Sequence, residues 1–248
     1  MPIALISGAS SGFGLATAKL LSQSGYDLIL IARREDILKE LADQLTTQVY
    51  YKSVDVRDRE QVSDLFNKLP DSFRKIDVLV NNAGGALGLD TIDTANIDDW
   101  EIMIDANIKG LLYLTRQVIP MMKVNNSGSI INIGSIAGHA PYKGGNVYGA
   151  SKAFVSQFTR NLRTDLHGTN IKATCIEPGM AETEFSLNRF KGDKQKADAV
   201  YHGMRPLKAA DIAETILWIL QRPAHVNIDN IEIMPVDQTW GGLTVNRK

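Results

Sequence analysis

ALISGASSGFGLATAKLL, residues 4–21, passes from a short run of aliphatic residues through a glycine-rich turn into a segment with helical spacing. The run is short, apolar and bounded by turn residues, so it reads as a buried strand. Gly8, Gly12 and Gly14 fall between that strand and the helix. The first amides of a helix have no intrahelical partner, and the helix dipole is positive at that end, so the turn suits an anion such as a pyrophosphate. Glycine lets the backbone approach it closely. The spacing is G-x-x-x-G-x-G rather than G-x-G-x-x-G, and a glycine triplet by itself also serves an ordinary tight turn. Its place between a first strand and a first helix points to a nucleotide site.

Outward from this turn, similar short runs recur: PIALIS (2–7), YDLILIA (26–32), QVYYKSVDV (48–56), IDVLVNN (76–82), GSIINIGS (128–135), IKATCIEP (171–178) and NIEIMPV (230–236). Segments with helical spacing lie between them at 15–24, 36–45, 59–69, 108–122, 147–167 and 210–220. Alternating strands and helices imply a parallel sheet covered on both faces, and right-handed crossovers leave the doubly wound dinucleotide-binding (Rossmann) α/β fold as the leading topology. Residues 1–248 show no linker, composition shift or repeat and read as one domain. Residues 180–205 fit no strand pattern and are rich in charge, as expected of a helical excursion or lid over a site.

The chain has 248 residues, 44% of them apolar, and a formal charge of −1 with mixed signs. That is ample for a core and gives no electrostatic footprint for nucleic acid or an anionic membrane, so the expected partner is a small-molecule substrate. The single cysteine, Cys175, excludes an intrachain disulfide and reads as a small buried hydrophobe. The start MPIALISGAS lacks the pattern of a signal peptide, and the apolar runs are too short to span a bilayer, so a cytoplasmic protein is expected. His139, His167, His202 and His225 lack metal-ligand spacing and no carboxylate cluster accompanies them in sequence, so no metal is expected.

The second strand ends LILIARRED, with Arg33 and Arg34 and no preceding carboxylate. A carboxylate there would take a ribose 2′-hydroxyl, whereas a guanidinium suits a 2′-phosphate, so NADP is expected over NAD. The alternative is a solvated pair at a helix start. GGNVYGASKAFVSQF (144–158) places Tyr148 and Lys152 one helical turn apart on one face. A cation beside a phenol favours the phenolate. A snorkelling lysine beside a half-buried tyrosine has the same spacing.

SGASSGFG (7–14), NNAG (81–84), YGASK (148–152) and PGMAET (178–183) occur together and in order. This set resembles the short-chain dehydrogenase/reductase family across essentially the whole chain, with Ser7 where the family usually has threonine. NVYGASKAFVSQFTRNLRTDLHGT, FKGD, PAHVNI and EIMPV are further similar to the bacterial NADP-dependent 3-hydroxy acid dehydrogenases, a group also described as serine or L-allo-threonine dehydrogenases and malonic semialdehyde reductases. The resemblance implies a catalytic set of Asn107, Ser135, Tyr148 and Lys152. Ser135 would hold the substrate oxygen, Tyr148 would exchange the proton, Lys152 would tune Tyr148 and bind the nicotinamide ribose, and Asn107 would support a water relay. It places cofactor contacts at Ser7, Gly8, Ser10, Ser11, Gly12, Phe13 and Gly14 in the first turn. Arg33 and Arg34 follow, then Asp55 and Val56 beside the adenine, Asn82, Ala83 and Gly84 along the adenosine side, and Pro178, Gly179 and Thr183, the last at the carboxamide. A homotetramer is also implied, and Trp240 and Leu243 in the polar tail are candidates for packing on a neighbouring subunit.

The expected reaction interconverts small 3-hydroxy acids and their 3-oxo acids or semialdehydes. The alternatives are a reductase of another carbonyl class (3-oxoacyl thioesters, sugars, dicarbonyls) or an NADP sensor without turnover. For the substrate's carboxylate, EFSLNRFKGDKQK (184–196) offers Arg189, Lys191, Lys194 and Lys196, and Lys143 approaches from PYKGGN. Arg189 is the first choice, held against Leu187 and Phe190 so that its fork grips a carboxylate. A solvated arginine on a mobile helix is the alternative.

Overall fold

In the computed structural model, which describes residues 1–240 and Val245, strands and helices alternate as far as the sixth strand, apart from two successive helices between the fourth and fifth strands. The elements run β1 (Ile3–Ser7), α1 (Gly12–Gln23), β2 (Asp27–Ala32), α2 (Glu35–Gln44), β3 (Val49–Ser53), α3 (Arg59–Asn67), β4 (Ile76–Asn81), α4 (Ile97–Ile104), α5 (Leu111–Asn125), β5 (Gly128–Ile133), α6 (Asn146–Asp165) and β6 (Ile171–Pro178). Then come β7 (Ala181–Glu182), α7 (Glu184–Arg189), α8 (Lys194–Ala199), β8 (Leu207–Lys208), α9 (Ala209–Leu220) and β9 (Asn230–Ile233). The main sheet has seven strands in the order β3-β2-β1-β4-β5-β6-β9, and every pair is parallel.

Side chains of a strand alternate between its faces, and this sheet has a core on each. Leu5, Ile29, Leu79 and Ile130 meet Val62 of α3, Leu114 of α5 and Leu162 of α6 on one side. Ile6, Leu30, Val80 and Ile131 meet Leu21 of α1, Leu38 of α2 and Ile216 of α9 on the other. The doubly wound single-domain fold expected from the sequence is therefore the fold observed. Strand order reverses between β1 and its neighbour β4, which opens a crevice at the carboxyl ends of the strands.

Residues 180–205 form the expected excursion: the short β7, then α7 and α8. α4 did not stand out in the sequence, nor did the π-helical segment Asp105–Gly110 that joins it to α5. Such wide turns are uncommon and recur at functional sites. No helix among the described residues is long and apolar enough to cross a membrane.

Candidate active site

The crevice is a cavity of about 920 Å³, bounded by the glycine-rich turn, the ends of β2 and β4, the start of α6 and α7. Gly8 and Gly12 have φ of +67° and +51°, which side-chain-bearing residues rarely adopt. Ser11 caps α1 without a side-chain hydrogen bond, so the first amides of the helix are left to whatever occupies the cavity. Gly8, Ser10, Ser11, Gly12 and Phe13 line it, as do Asn82, Ala83 and Gly84.

Ser7 and Gly14, expected among the cofactor contacts, stand behind this wall. Ser7 is fully buried. Its hydroxyl donates to the Val80 carbonyl at 3.2 Å and accepts from the amides of Asn82 and Ala83, both at 3.0 Å. A hydroxyl saturated from below sets the turn after β4 and has nothing left to offer the cavity. A Cβ on Gly14 would run into the Gly8 carbonyl oxygen and lie 2.6 Å from Asn82 Nδ2, so glycine here admits the helix against the turn.

At the end of β2, Arg34 donates to Ser10 Oγ (3.1 Å) and pairs with Glu184 of α7 at 3.1 Å. Arg33 lines the cavity, and its guanidinium has no hydrogen bond or ion pair among the described residues. Asp55 is taken by Arg57, whose Nη2 lies 2.6 Å from Oδ2 and whose hydrogen bonding holds the carboxyl below the usual carboxylate range. Asp55 lines the cavity beside the buried Val56. An uncommitted guanidinium, free helix amides and left-handed glycines fit a phosphorylated dinucleotide.

Ser135 opens the 3-10 turn Ile136–Gly138. Its hydroxyl accepts from the Ala137 amide at 3.1 Å, donates to the Pro178 carbonyl at 3.5 Å, and is near enough to Tyr148 to favour its phenolate form. Tyr148, in the first turn of α6, is buried with its ring against Phe185, the centroids 5.6 Å apart. Lys152, one turn on, is also buried. Its ammonium donates to the Ile133 carbonyl at 2.8 Å and lies 5.9 Å from the Tyr148 ring centroid.

Burial pushes the Tyr148 phenol up to about 12, against the Ser135 hydrogen bond and the positive charge of Arg189. Burial also pushes the Lys152 ammonium down to about 8. The expectation that Lys152 favours the phenolate is thus not met in the protein alone. Its ammonium is turned to β5, and desolvation dominates. At neutral pH Tyr148 carries its proton and can donate it.

Asn107 lies in the π-helical segment. Its amide donates to the Gly85 carbonyl (3.0 Å) and to Ser151 (2.9 Å), while its oxygen accepts from the Gly85 amide (2.8 Å), tying the loop after β4 to α6. Pro178 and Gly179 line the cavity, and Thr183 caps α7 by accepting from the Phe185 amide at 3.1 Å.

At the other end of α7, Arg189 donates from Nε to the Gly88 carbonyl (3.0 Å) and from Nη2 to the Tyr142 hydroxyl (2.9 Å). The guanidinium lies 5.4 Å from the Tyr142 ring and 5.7 Å from the Tyr148 ring. Of the expected wall, Leu187 is exposed while Phe190 is half-buried and lines the cavity, and the two tyrosines flank the guanidinium besides. Lys191 pairs with Asp99, Lys194 with Asp198 and Lys196 with Asp193, and of the five candidate cations Arg189 and Lys143 line the cavity. Tyr142 and Phe185 did not stand out in the sequence.

The fold corrects one reading of the histidines. His139 meets two carboxylates that are cross-strand neighbours on β6 and β9, Glu177 and Glu232. Its Nδ1 is 3.9 Å from Glu177 and its Nε2 is 3.2 Å from Glu232. Two ring nitrogens facing different carboxylates make an ion-pair bridge when the ring is protonated. One nitrogen of the ring and one oxygen of each carboxylate lie within 4.8 Å of one another, a grouping of metal-ligand types that the histidine spacing in the sequence did not show. Trp240 packs on the same ring, centroids 5.0 Å apart, and Leu243 lies outside the described residues.

Known proteins resemble this chain along its whole length. The profile of the short chain dehydrogenase family matches residues 2–194. The NADP-dependent 3-hydroxy acid dehydrogenase YdfG of Salmonella typhi is 51% identical over 246 residues, covering 99% of both chains. Sulfoacetaldehyde reductase 2 of Chromohalobacter salexigens is 48% identical, covering 99% of this chain and 98% of its own. The closed form of a serine dehydrogenase complexed with NADP+ superposes with a TM-score of 0.95 at 49% identity, covering 99% of this chain and 100% of that one. Identity of this order, sustained from end to end, places the chain in the short-chain dehydrogenase family.

Proposed function

We propose that this enzyme interconverts small 3-hydroxy acids, such as serine, L-allo-threonine, 3-hydroxyisobutyrate and 3-hydroxypropionate, with their 3-oxo acids or semialdehydes. It is an oxidoreductase acting on hydroxyl groups, and its cofactor is NADP. The observation that carries the substrate class is Arg189: a guanidinium 5.7 Å from the Tyr148 ring, inside the cavity, on the segment that covers it. A 3-hydroxy acid bears its carboxylate one carbon beyond the neighbour of the reacting carbon, so a cation beside the proton donor suits it.

In the reducing direction the Ser135 hydroxyl donates a hydrogen bond to the substrate's carbonyl oxygen, and the Tyr148 hydroxyl transfers its proton to that oxygen. When bound, the nicotinamide supplies the hydride. Lys152 holds the nicotinamide ribose and the Tyr148 hydroxyl in register, and Asn107 keeps the adjoining loop on α6 so that a water chain can return the proton. Phe185 keeps bulk water from the Tyr148 ring. Oxidation of the hydroxy acid runs the same transfers backwards.

Arg33 and Arg34 take the 2′-phosphate, with Arg33 the one without a competing partner. Arg33→Ala should lower kcat/KM with NADPH by about tenfold or more and barely change it with NADH, as a charge-assisted contact is lost. An unchanged ratio of the two would remove Arg33 from the site.

The test of substrate class is Arg189→Gln. Its kcat/KM for 3-hydroxypropionate should fall by about 2 kcal/mol or more in transition-state binding, as one partner of a desolvated pair is removed. The methyl ester of the same acid should lose far less. Equal losses would make Arg189 a support for α7 and would turn attention to Lys143.

A further inference from the structure

Tyr142 lies in the loop between the 3-10 turn and α6, half-buried at the edge of the cavity. Its position is fixed on several sides. Its carbonyl accepts from the Gly145 amide at 3.0 Å. Its ring lies so close to Gly145 that a Cβ there would stand 2.8 Å from Cε1. Its other neighbours are the small cluster of Ala86, Met103, Ala137 and Tyr148. A tyrosine held this way by a glycine and a packed cluster gives up little rotamer freedom when it binds a ligand.

Its hydrogen bonding is half used. The phenolic oxygen accepts from Arg189 Nη2 at 2.9 Å, and its own O–H has no acceptor among the described residues. Arg189 is half used too. A guanidinium has five N–H donors, and here one goes to the Gly88 carbonyl and one to Tyr142. An accepting phenol beside a donating guanidinium leaves an O–H and further N–H groups side by side in one cavity. Adjacent donors of this kind match the two oxygens of a carboxylate.

We infer that the Tyr142 hydroxyl and the Arg189 guanidinium together form the subsite for the substrate's acid group, Tyr142 donating to one anion oxygen and holding Arg189 toward the other. This rests on the 3-hydroxy acid reading above and adds a specificity-determining residue to it. The phenol has two duties in the subsite: as acceptor it aims the guanidinium, and as donor it reads the anion. Phenylalanine would keep the ring beneath the guanidinium and remove both.

The test measures binding, so it does not depend on turnover. Isobutyrate and its neutral isostere isobutyramide are titrated by calorimetry into the NADP+ complexes of the wild type, Tyr142→Phe and Arg189→Gln. The wild type is expected to bind isobutyrate more tightly than isobutyramide. Tyr142→Phe should weaken isobutyrate about tenfold, as expected for a lost hydrogen bond to a charged group, and isobutyramide much less. Equal weakening of both ligands, or none, would overturn the role of Tyr142. Loss of acid preference in Arg189→Gln alone would leave the anchor standing and remove Tyr142 from it. A wild type without preference for isobutyrate would overturn both this subsite and the substrate class proposed above.

Discussion

Tyr148→Phe will lose turnover by about a thousandfold or more, the upper part of the range for a positioned proton donor, and will still bind NADPH with nearly wild-type affinity. The reason is the isolation of this hydroxyl. It is the phenol beside the Ser135 hydroxyl, whereas Tyr142 is bound to Arg189 with its O–H assigned above to the acid group, and Tyr201 donates to the Ala181 carbonyl at 2.8 Å. Phenylalanine keeps the ring contact with Phe185, so the loss reports chemistry and not collapse of the wall. Steady-state rates with a fluorescence titration of NADPH check it. More than about a hundredth of wild-type turnover would remove Tyr148 from the proton-transfer role.

Lys152→Met will also lose most activity, and it will make the protein more stable near neutral pH. The Lys152 ammonium is buried, and its folded value, about 8, lies below the ordinary 10.5. At 1.36 kcal/mol per unit, holding the charge in that site costs about 3 kcal/mol. Removing the amine leaves the Ile133 carbonyl without its donor, which returns about 1–2 kcal/mol of that. A net gain of about 1–2 kcal/mol is expected.

The sign of the pH dependence follows. Between about 8 and 10.5 the unfolded lysine is protonated and the folded one is not. The unfolded state then binds more protons, so wild-type stability rises with pH across this window. The advantage of Lys152→Met is therefore full below about pH 8 and shrinks toward pH 10.5. Urea unfolding of both proteins across that range measures it. A variant less stable than wild type at pH 7 would mean that Lys152 is held by favourable contacts beyond Ile133. Stability given up to keep a charged group in a site is a familiar cost of function.

Much of this was legible in the chain. Short branched-apolar runs alternating with helical segments fixed the layers, and the handedness rule fixed the topology, because both are local or nearly so. Tyr148 and Lys152 were legible as a pair because one helical turn joins them. What escaped was whatever the fold brings together from afar. Arg189 meets Gly88 and Tyr142 only once α7 has folded back over the loop after β4. His139 meets Glu177 and Glu232 only when β6 and β9 pair in register. Ser7 carries the right chemistry at the right place in the motif, but its hydroxyl faces the Asn82 turn, and strand position alone does not give that direction. The π-helical segment keeps the apolar spacing of a helix, so nothing in its periodicity marks the wider turn that carries Asn107.

A phenol, a serine and an arginine are proposed to converge on a small acid in the presence of NADP. The most direct measurement follows NADP+ reduction by the wild type with 3-hydroxypropionate, its methyl ester, a 3-hydroxyacyl thioester and a sugar alcohol, each at several concentrations. kcat/KM is expected to be highest for the free acid, above the ester by about tenfold or more, as a charged contact at the anchor requires. A higher kcat/KM for the thioester, the sugar alcohol or the ester would contradict it.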